Sequence, residues 1–295
     1  MLTPKKTSHI DHATKRCGFV AIVGQANAGK STLINTLAGQ KVSIVSSKPH
    51  TTRYGIYGIV CHNDSQLILV DTPGFIDAPQ KGLQEYMAQT TRRGIRESDV
   101  VVVLIDATAP IPNTIQQTLV RLRDRTPIIA LNKVDAMKKE DLLPLAAQLQ
   151  EYTQSIFMIS GKKNNGLDTL IDAIINRVPS GPWLFDQDDL TQVSQRFWAA
   201  EMTREKVFEN VHQEIPYHIH VMTDAWEEKK HSLVLRQTIF VHKDRYKKWV
   251  LGHDGQRIRT IGLQARMEIA KEIKKDVHLF LNVKTDPSWR NTLHQ

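Results

Sequence analysis

The chain is short of cysteine. Cys17 and Cys61 stand alone in 295 residues, without C-x-x-C spacing. Isolated thiols exclude a disulfide scaffold and a zinc framework of the usual spacing. Long apolar runs are missing too, and the longest, Val100 to Ile105, is far too short to cross a bilayer. Residues 1–16 are polar and basic and lack the apolar stretch of a secretory signal. We expect them to form a mobile basic arm on a cytosolic protein. No internal repeat or low-complexity segment occurs. Acidic residues are outnumbered, 31 Asp and Glu against 39 Lys and Arg, which leaves a net charge of +8 and a pI near 9.4. That excess points to a polyanionic partner, nucleic acid or an anionic membrane surface, without choosing between them.

What is present is an ordinary globular balance, 41% hydrophobic and 24% charged, so neither half need be disordered. The length favours two domains over one core. In the first half, short apolar runs (Phe19 to Val23, Gln66 to Asp71, Val100 to Asp106, Pro127 to Asn132, Ser155 to Ser160) alternate with helical patterns. The helices are expected over Ser31 to Ala38, Leu83 to Arg96, Asn113 to Arg123, Asp141 to Tyr152 and Leu167 to Val178. Such alternation predicts an α/β fold with a mainly parallel sheet covered on both faces. The pattern breaks at Pro179-Ser180-Gly181-Pro182 and the acidic stretch from Asp186 to Asp189. The expected division is 17–180, a linker 181–193, a smaller α+β domain 194–290 and a tail 291–295.

Three motifs lie at the carboxyl ends of the expected strands, where open parallel sheets bind ligands. Gly24-Gln25-Ala26-Asn27-Ala28-Gly29-Lys30-Ser31 matches GxxxxGK[ST] between strand and helix. Its backbone N–H groups and the helix dipole suit phosphates. Lys30 is placed for the outer phosphates, the Ser31 hydroxyl for Mg²⁺, and Thr32 follows against the same nucleotide. Asp71-Thr72-Pro73-Gly74 is turn chemistry in isolation. Downstream of a phosphate loop it reads as a switch, with Asp71 holding Mg²⁺ and the Gly74 N–H sensing the γ-phosphate. Asn132-Lys133-Val134-Asp135 selects the base. The Asp135 carboxylate can accept from the guanine ring N–H and amine, a pattern adenine does not offer, and such sites can discriminate by ~10⁴–10⁵. Lys133 is expected along the base, and Asn132 to tie this loop to the phosphate loop. Ser160-Gly161-Lys162 is expected to offer backbone N–H groups to the guanine carbonyl. Thr51 or Thr52 can close over Mg²⁺, and we choose Thr52. Together these residues predict GTP or GDP binding with Mg²⁺, and GTP hydrolysis.

The second half predicts a helix from about Gln195 to Gln213, strands His218 to Asp224 and Arg236 to His242, a basic turn and helix from Gly252 to Lys275, and a strand Val277 to Lys284. Gly252-His253-Asp254-Gly255 is a GxxG loop. The helix after it carries Ile258, Ile261, Ala265, Ile269 and Ile273 on one stripe, which is core packing. From Lys243 to Lys275 there are ten Lys or Arg against four Asp or Glu, an excess suited to a phosphate backbone.

The motif set resembles the small GTPase domain of the translation-factor class. Asn27, Thr51-Thr52-Arg53 and Asp71-Thr72-Pro73-Gly74 look like the Era and tRNA-modification GTPase group. The second half resembles a bacterial-type (type II) KH domain, whose GxxG loop clamps single-stranded RNA. Ser194-Gln195-Arg196-Phe197, Arg204-Glu205-Lys206, Glu214-Ile215-Pro216-Tyr217, Ile261-Gly262 with Ala265-Arg266, and Val283-Lys284 with Trp289-Arg290 look like the Era pattern. The resemblance implies binding near the 3′ end of small-subunit (16S) ribosomal RNA, a part in 30S subunit maturation, a monomer, and peripheral association with the inner membrane. It implies RNA contacts at Gly252, His253, Asp254, Gly255, Arg257 and Arg259. The chain also departs from its relatives. Phe75 stands where Ras-like enzymes carry glutamine, so activation of water must come from backbone, from a potassium ion held by Asn27, or from a partner. Lys30, Thr52, Gly74 and Asn27 are therefore the expected catalytic set. Asp254 puts an acid where relatives carry a base, and Gly161 replaces an alanine, with added flexibility expected. The alternative reading is an RNA-binding module whose G domain binds GTP but hardly turns it over.

Overall fold

The computed structural model describes residues 15–45, 55–75, 83–186, 194–211 and 218–289. The first sheet has six strands in the order β2-β3-β1-β4-β5-β6: β1 Arg16–Gly24, β2 Ile56–His62, β3 Ser65–Asp71, β4 Val100–Asp106, β5 Ile128–Asn132 and β6 Ile156–Met158. All neighbours are parallel except β2 and β3. Five helices cover it: α1 Lys30–Ala38, α2 Leu83–Glu97, α3 Asn113–Arg121, α4 Lys139–Leu149 and α5 Leu167–Ile175. Alternate residues of each strand go to opposite faces. Val20, Ile22, Val102 and Leu104 pack with Leu33 of α1 and Leu170 and Ile174 of α5. Ala21, Val23, Val103 and Ile105 pack with Ile115 and Leu119 of α3 and Leu142 of α4. With apolar layers on both sides, β4 is buried throughout, which explains its uninterrupted apolar run.

The second sheet has three strands, β7 Ile219–Glu228, β8 Ser232–Val241 and β9 Asp276–Thr285, with β7 antiparallel and β9 parallel to β8. Helices α6 Gln195–Asn210, α7 Asp244–Leu251 and α8 Gln256–Ile273 accompany it. Ile261, Ala265 and Ile269 of α8 are fully buried, as the stripe requires. Among the described residues no helix is long and apolar enough to cross a membrane.

The structure corrects the sequence reading in four places. β2 is an added antiparallel edge strand, joined to β3 by a tight turn at Asn63, whose φ of 51° suits asparagine. Helix α7 is an element the sequence pattern does not announce; its eight residues bury only Tyr246 and Val250, an i, i+4 pair too brief to mark a period. The GxxG loop therefore lies between two helices, not between strand and helix. Finally, the residues of the expected arm and linker that adjoin the first domain, 15–16 and 181–185, are packed. Arg16 opens β1 and donates to Val178 O at 2.7 Å, and the Gly181 N–H donates to Lys15 O. The fully buried Gln66 accepts from the amides of Leu184 and Phe185 and donates to Phe185 O.

Candidate nucleotide and nucleic-acid sites

The phosphate loop leaves β1 through residues that demand small size. A Cβ at Gly24 would stand 2.2 Å from Leu104 O, and Gly29 has φ of 95° with Asn132 Nδ2 where its Cβ would be. Asn27 also takes a left-handed φ, 61°. Lys30 is buried, and Nζ donates to Gly24 O at 3.1 Å and Gln25 O at 2.8 Å. Burial pushes its pKa down to about 8, against the opposing pull of the Asp71 carboxylate. A buried ammonium whose charge is poorly compensated suits an anion. The Ser31 hydroxyl donates to Asp71 Oδ2 at 2.8 Å. A hydroxyl and a carboxylate converging beside a phosphate loop are the hard oxygen donors Mg²⁺ takes. The fit is chemically sound.

Asp71 ends β3, and the loop after it is pinned from both sides. Thr72 Oγ1 donates to Ile22 O, and Thr91 Oγ1 of α2 donates to Pro73 O, each at 2.8 Å. A Cβ at Gly74 would lie 3.0 Å from the Ala26 amide nitrogen and 3.3 Å from Lys30 Nζ, so only glycine approaches the phosphate loop this closely. The Phe75 amide donates to Gly24 O at 3.1 Å, and its ring packs against the apolar layer under α3 and α4.

Asn132 is the tie between loops: Nδ2 donates to Ala28 O at 2.7 Å, and Oδ1 accepts from the Gly161 amide at 2.9 Å. Lys133 is left-handed, φ 66°, with Nζ 2.6 Å from Asp106 Oδ2. Asp135 is exposed, and the Ser160 hydroxyl holds its carboxyl below the usual carboxylate range. The structure revises the carbonyl-binding loop. The Ser160 amide donates to Asn165 O and the Gly161 amide to Asn132, so among the described residues the Lys162 amide is the one of the three left for a base. Gly161 is not loose, because its carbonyl also accepts from Thr36 Oγ1 at 2.8 Å. An alanine Cβ there would meet only ordinary contacts.

Sequence reasoning missed two side chains. Asp106 ends β4 and anchors Lys133. Burial pushes its carboxyl up, but the Lys133 ammonium and Thr108 outweigh this and hold it low. Its position at a strand end was the available signal. Ser43 donates to Asp71 Oδ2 at 2.5 Å, from a segment that Asn35 clamps through the amides of Val42 and Ser43. Nothing local marked it. Thr51, Thr52, Arg53, Glu214–Tyr217 and Arg290 lie outside the described residues.

At the GxxG loop, Gly252 (φ 74°) has no room for a side chain, since a Cβ would lie 2.7 Å from Arg257 Cβ. Gly255 (φ 73°) has room but needs the left-handed conformation. Asp254 is also left-handed, φ 47°, and its carboxylate lies 3.0 Å from His253 Nδ1, both side chains exposed. Arg257 donates to Trp249 O, at the end of α7, while Arg259 is exposed. Of the two arginines, then, Arg257 is bound within the fold.

The chain matches a 50S ribosome-binding GTPase family model over residues 19–133 and a KH domain model over 214–290. It is similar to GTPase Era of Mesorhizobium japonicum, 45% identical with 92% of this chain and 89% of the relative covered. GTPase Era of Agrobacterium fabrum is 40% identical, with 97% and 92% covered. Among solved structures, a point variant of Aquifex aeolicus Era bound to GDP·AlF4⁻ superposes with a TM-score of 0.88 at 34% identity, covering 93% and 95% of the two chains. An Era complex with MgGDPNP and nucleotides 1506–1542 of 16S ribosomal RNA gives 0.88 at 35%, covering 94% and 95%. With a P-loop GTPase sheet, a KH domain behind it and this identity along almost the whole length, the chain belongs to the Era family of GTPases.

Proposed function

We propose that this protein is a GTP-hydrolysing switch that binds the single-stranded 3′ region of small-subunit ribosomal RNA and acts in 30S assembly. The observation that carries the nucleotide half is Asn132, which locks the phosphate loop, the base-reading loop and the 160–162 loop into one surface. On it, Asp135 reads the guanine ring N–H and amine, Lys133 flanks the base from its anchor on Asp106, and Lys162 offers its amide to the carbonyl. Residues 24–32 cradle the phosphates, with Lys30 on the outer ones and Gly74 beside the γ-phosphate. Ser31 and Asp71 would hold Mg²⁺, joined by Thr52; the ion supplies charge neutralisation on the phosphates when bound. Phe75 has no group to orient water and packs, partly buried, against the α3–α4 layer, so Asn27, with potassium, is our candidate for assistance. Ras-type intrinsic hydrolysis is on the order of 10⁻⁴ s⁻¹, which suits a timer.

The RNA half rests on family membership, the KH match and the basic α7–α8 region; the packing of Lys15, Arg16, Gly181, Leu184 and Phe185 widens our first domain to 15–186, with 194–290 as the second. We place the protein in the cytoplasm as a monomer, with peripheral contact to the inner membrane as the resemblance implies. A module with an almost inactive G domain is the second reading, which Phe75 favours; single-turnover hydrolysis with and without potassium and RNA separates the two. The base assignment is tested by Asp135→Asn. The amide can donate where the carboxylate only accepts, so GTP binding should weaken at least a hundredfold and xanthosine nucleotide binding improve. Unchanged GTP affinity would remove the guanine assignment.

A further inference from the structure

The carboxylate at the end of β3 is gripped by a hydroxyl from outside the nucleotide motifs. Asp71 Oδ2 accepts from Ser31 Oγ at 2.8 Å and from Ser43 Oγ at 2.5 Å. Asp71 and Ser43 are both fully buried, and Ser43 stands 28 residues before Asp71 in the chain. It belongs neither to the phosphate loop nor to the 71–74, 132–135 and 160–162 loops.

Helix α1 holds Ser43 in that place. Asn35 Oδ1 accepts from the Val42 amide at 2.9 Å and the Ser43 amide at 2.8 Å, and Asn35 Nδ2 donates to Ser43 O at 2.7 Å. Ser31 and Asn35 are four residues apart on α1 and so lie on one face of it. One helix face therefore builds both sides of the grip, Ser31 directly and Asn35 through the backbone of Ser43. The flanking residues are fixed as well. Val42 is buried, and Ile44 is seated among Ala199, Met202 and Leu235. Little ordering of this segment is left to be done when the site fills.

We propose that Ser43 is a positioning residue for Mg²⁺ that acts through Asp71. The proposal rests on the reading of Asp71 as the metal's carboxylate. An ionised carboxylate offers only acceptors, about four lone-pair sites on two oxygens. Two hydroxyls on one of those oxygens restrict the turning of the group and fix the direction in which its remaining lone pairs point. The two hydroxyls differ in their duties. Ser31 Oγ is itself expected to ligate the metal, whereas Ser43 grips the carboxylate from outside the metal's own ligand set. Hydrogen-bond partners of a ligating carboxylate change metal affinity by about ten- to a hundredfold when removed. A serine that merely satisfied a buried acceptor would instead cost stability, with no effect specific to the metal.

Full-length parent, Ser43→Ala, Asp71→Ala and the double variant are compared by the fluorescence of bound N-methylanthraniloyl-GDP, first in EDTA and then across a Mg²⁺ series. Ser43→Ala should raise the Mg²⁺ half-point about tenfold or more and leave GDP affinity in EDTA within about twofold of the parent. On the Asp71→Ala background the same change should add nothing, because the residue it acts through is gone. GTP turnover by Ser43→Ala should return toward the parent rate when Mg²⁺ is raised by the same factor. Ser43→Cys, similar in size but a weaker donor, should fall between parent and Ser43→Ala, and it carries the test if the alanine variant folds poorly. An unchanged half-point in Ser43→Ala and Ser43→Cys overturns the proposal. So does an equal weakening of GDP binding in EDTA, or an equal further loss on the Asp71→Ala background. An unchanged half-point in Asp71→Ala alone would remove Asp71 from the metal site, and the role of Ser43 with it.

Discussion

Lys30 shows how much a single buried charge controls. In the unfolded chain its ammonium keeps its proton to about pH 10.5, whereas in the folded protein burial lowers the pKa to about 8. Between those values the unfolded state binds more protons, so this residue's share of stability rises as pH climbs through that window. Polyphosphate beside Nζ favours the charged form and restores the proton. GDP binding at about pH 9 should therefore take up close to one proton, and at about pH 6 none from this group. Calorimetry in two buffers of different ionisation enthalpy measures the uptake. Identical apparent heats at the higher pH would mean that Lys30 is not the phosphate ligand.

Among the elements, the GxxG turn is decided by backbone shape before charge. Gly252 is required by the closeness of Arg257, Gly255 by its dihedral angle, and Asp254 by neither. Asp254 is simply one of the residues that visits the left-handed region easily. Its charge faces solvent, where screening over ~10 Å in moderate salt still lets a neighbouring phosphate feel it. Asp254→Lys should tighten single-stranded RNA binding a few-fold and add up to about 0.7 to the salt slope, at a backbone cost of about 1 kcal/mol. Gly255→Asp should weaken RNA binding and leave GTP affinity alone. An RNA titration of both variants across salt decides it; no change in either means that the loop does not touch RNA.

At the scale of the whole molecule, the two sheets are joined by a few residues just before the 46–54 segment. Ile44 is fully buried in the cluster of Ala199, Met202, Leu235 and Ile269, and the Trp198 indole donates to Lys41 O at 2.9 Å. Lys41 Nζ lies 2.6 Å from the buried Glu205 and also pairs with Glu268, which Lys206 holds at 2.6 Å. Burial pushes the Glu205 carboxyl up, although Lys41 pulls it down. Lys41→Met should cost on the order of 3 kcal/mol at neutral pH, because removing one partner strands a buried charge. With its folded pKa raised above the unfolded value, Glu205 carries no penalty when protonated, so the loss should shrink as pH falls toward about 5. Urea denaturation at both pH values measures this, and Glu205→Gln on top of Lys41→Met should recover most of the loss. A pH-independent cost would mean that Glu205 is not the stranded group.

Legible in the chain alone were the mainly parallel sheet, the family, and the motifs that follow its strands. Those features are local: a phosphate loop is a run of consecutive amides, a buried strand such as β4 is a run of consecutive apolar residues, and each motif follows its strand directly. Tertiary structure alone decided the rest. Ser43 meets Asp71 and Asp106 meets Lys133 across gaps of 28 and 27 residues, Gln66 grips the chain at Phe185, and Ile44 enters the second core. No period or spacing announces such pairs. They exist because strands distant in the chain lie side by side in the sheet, and because a buried carboxylate or amide must find a partner wherever the fold brings one within reach.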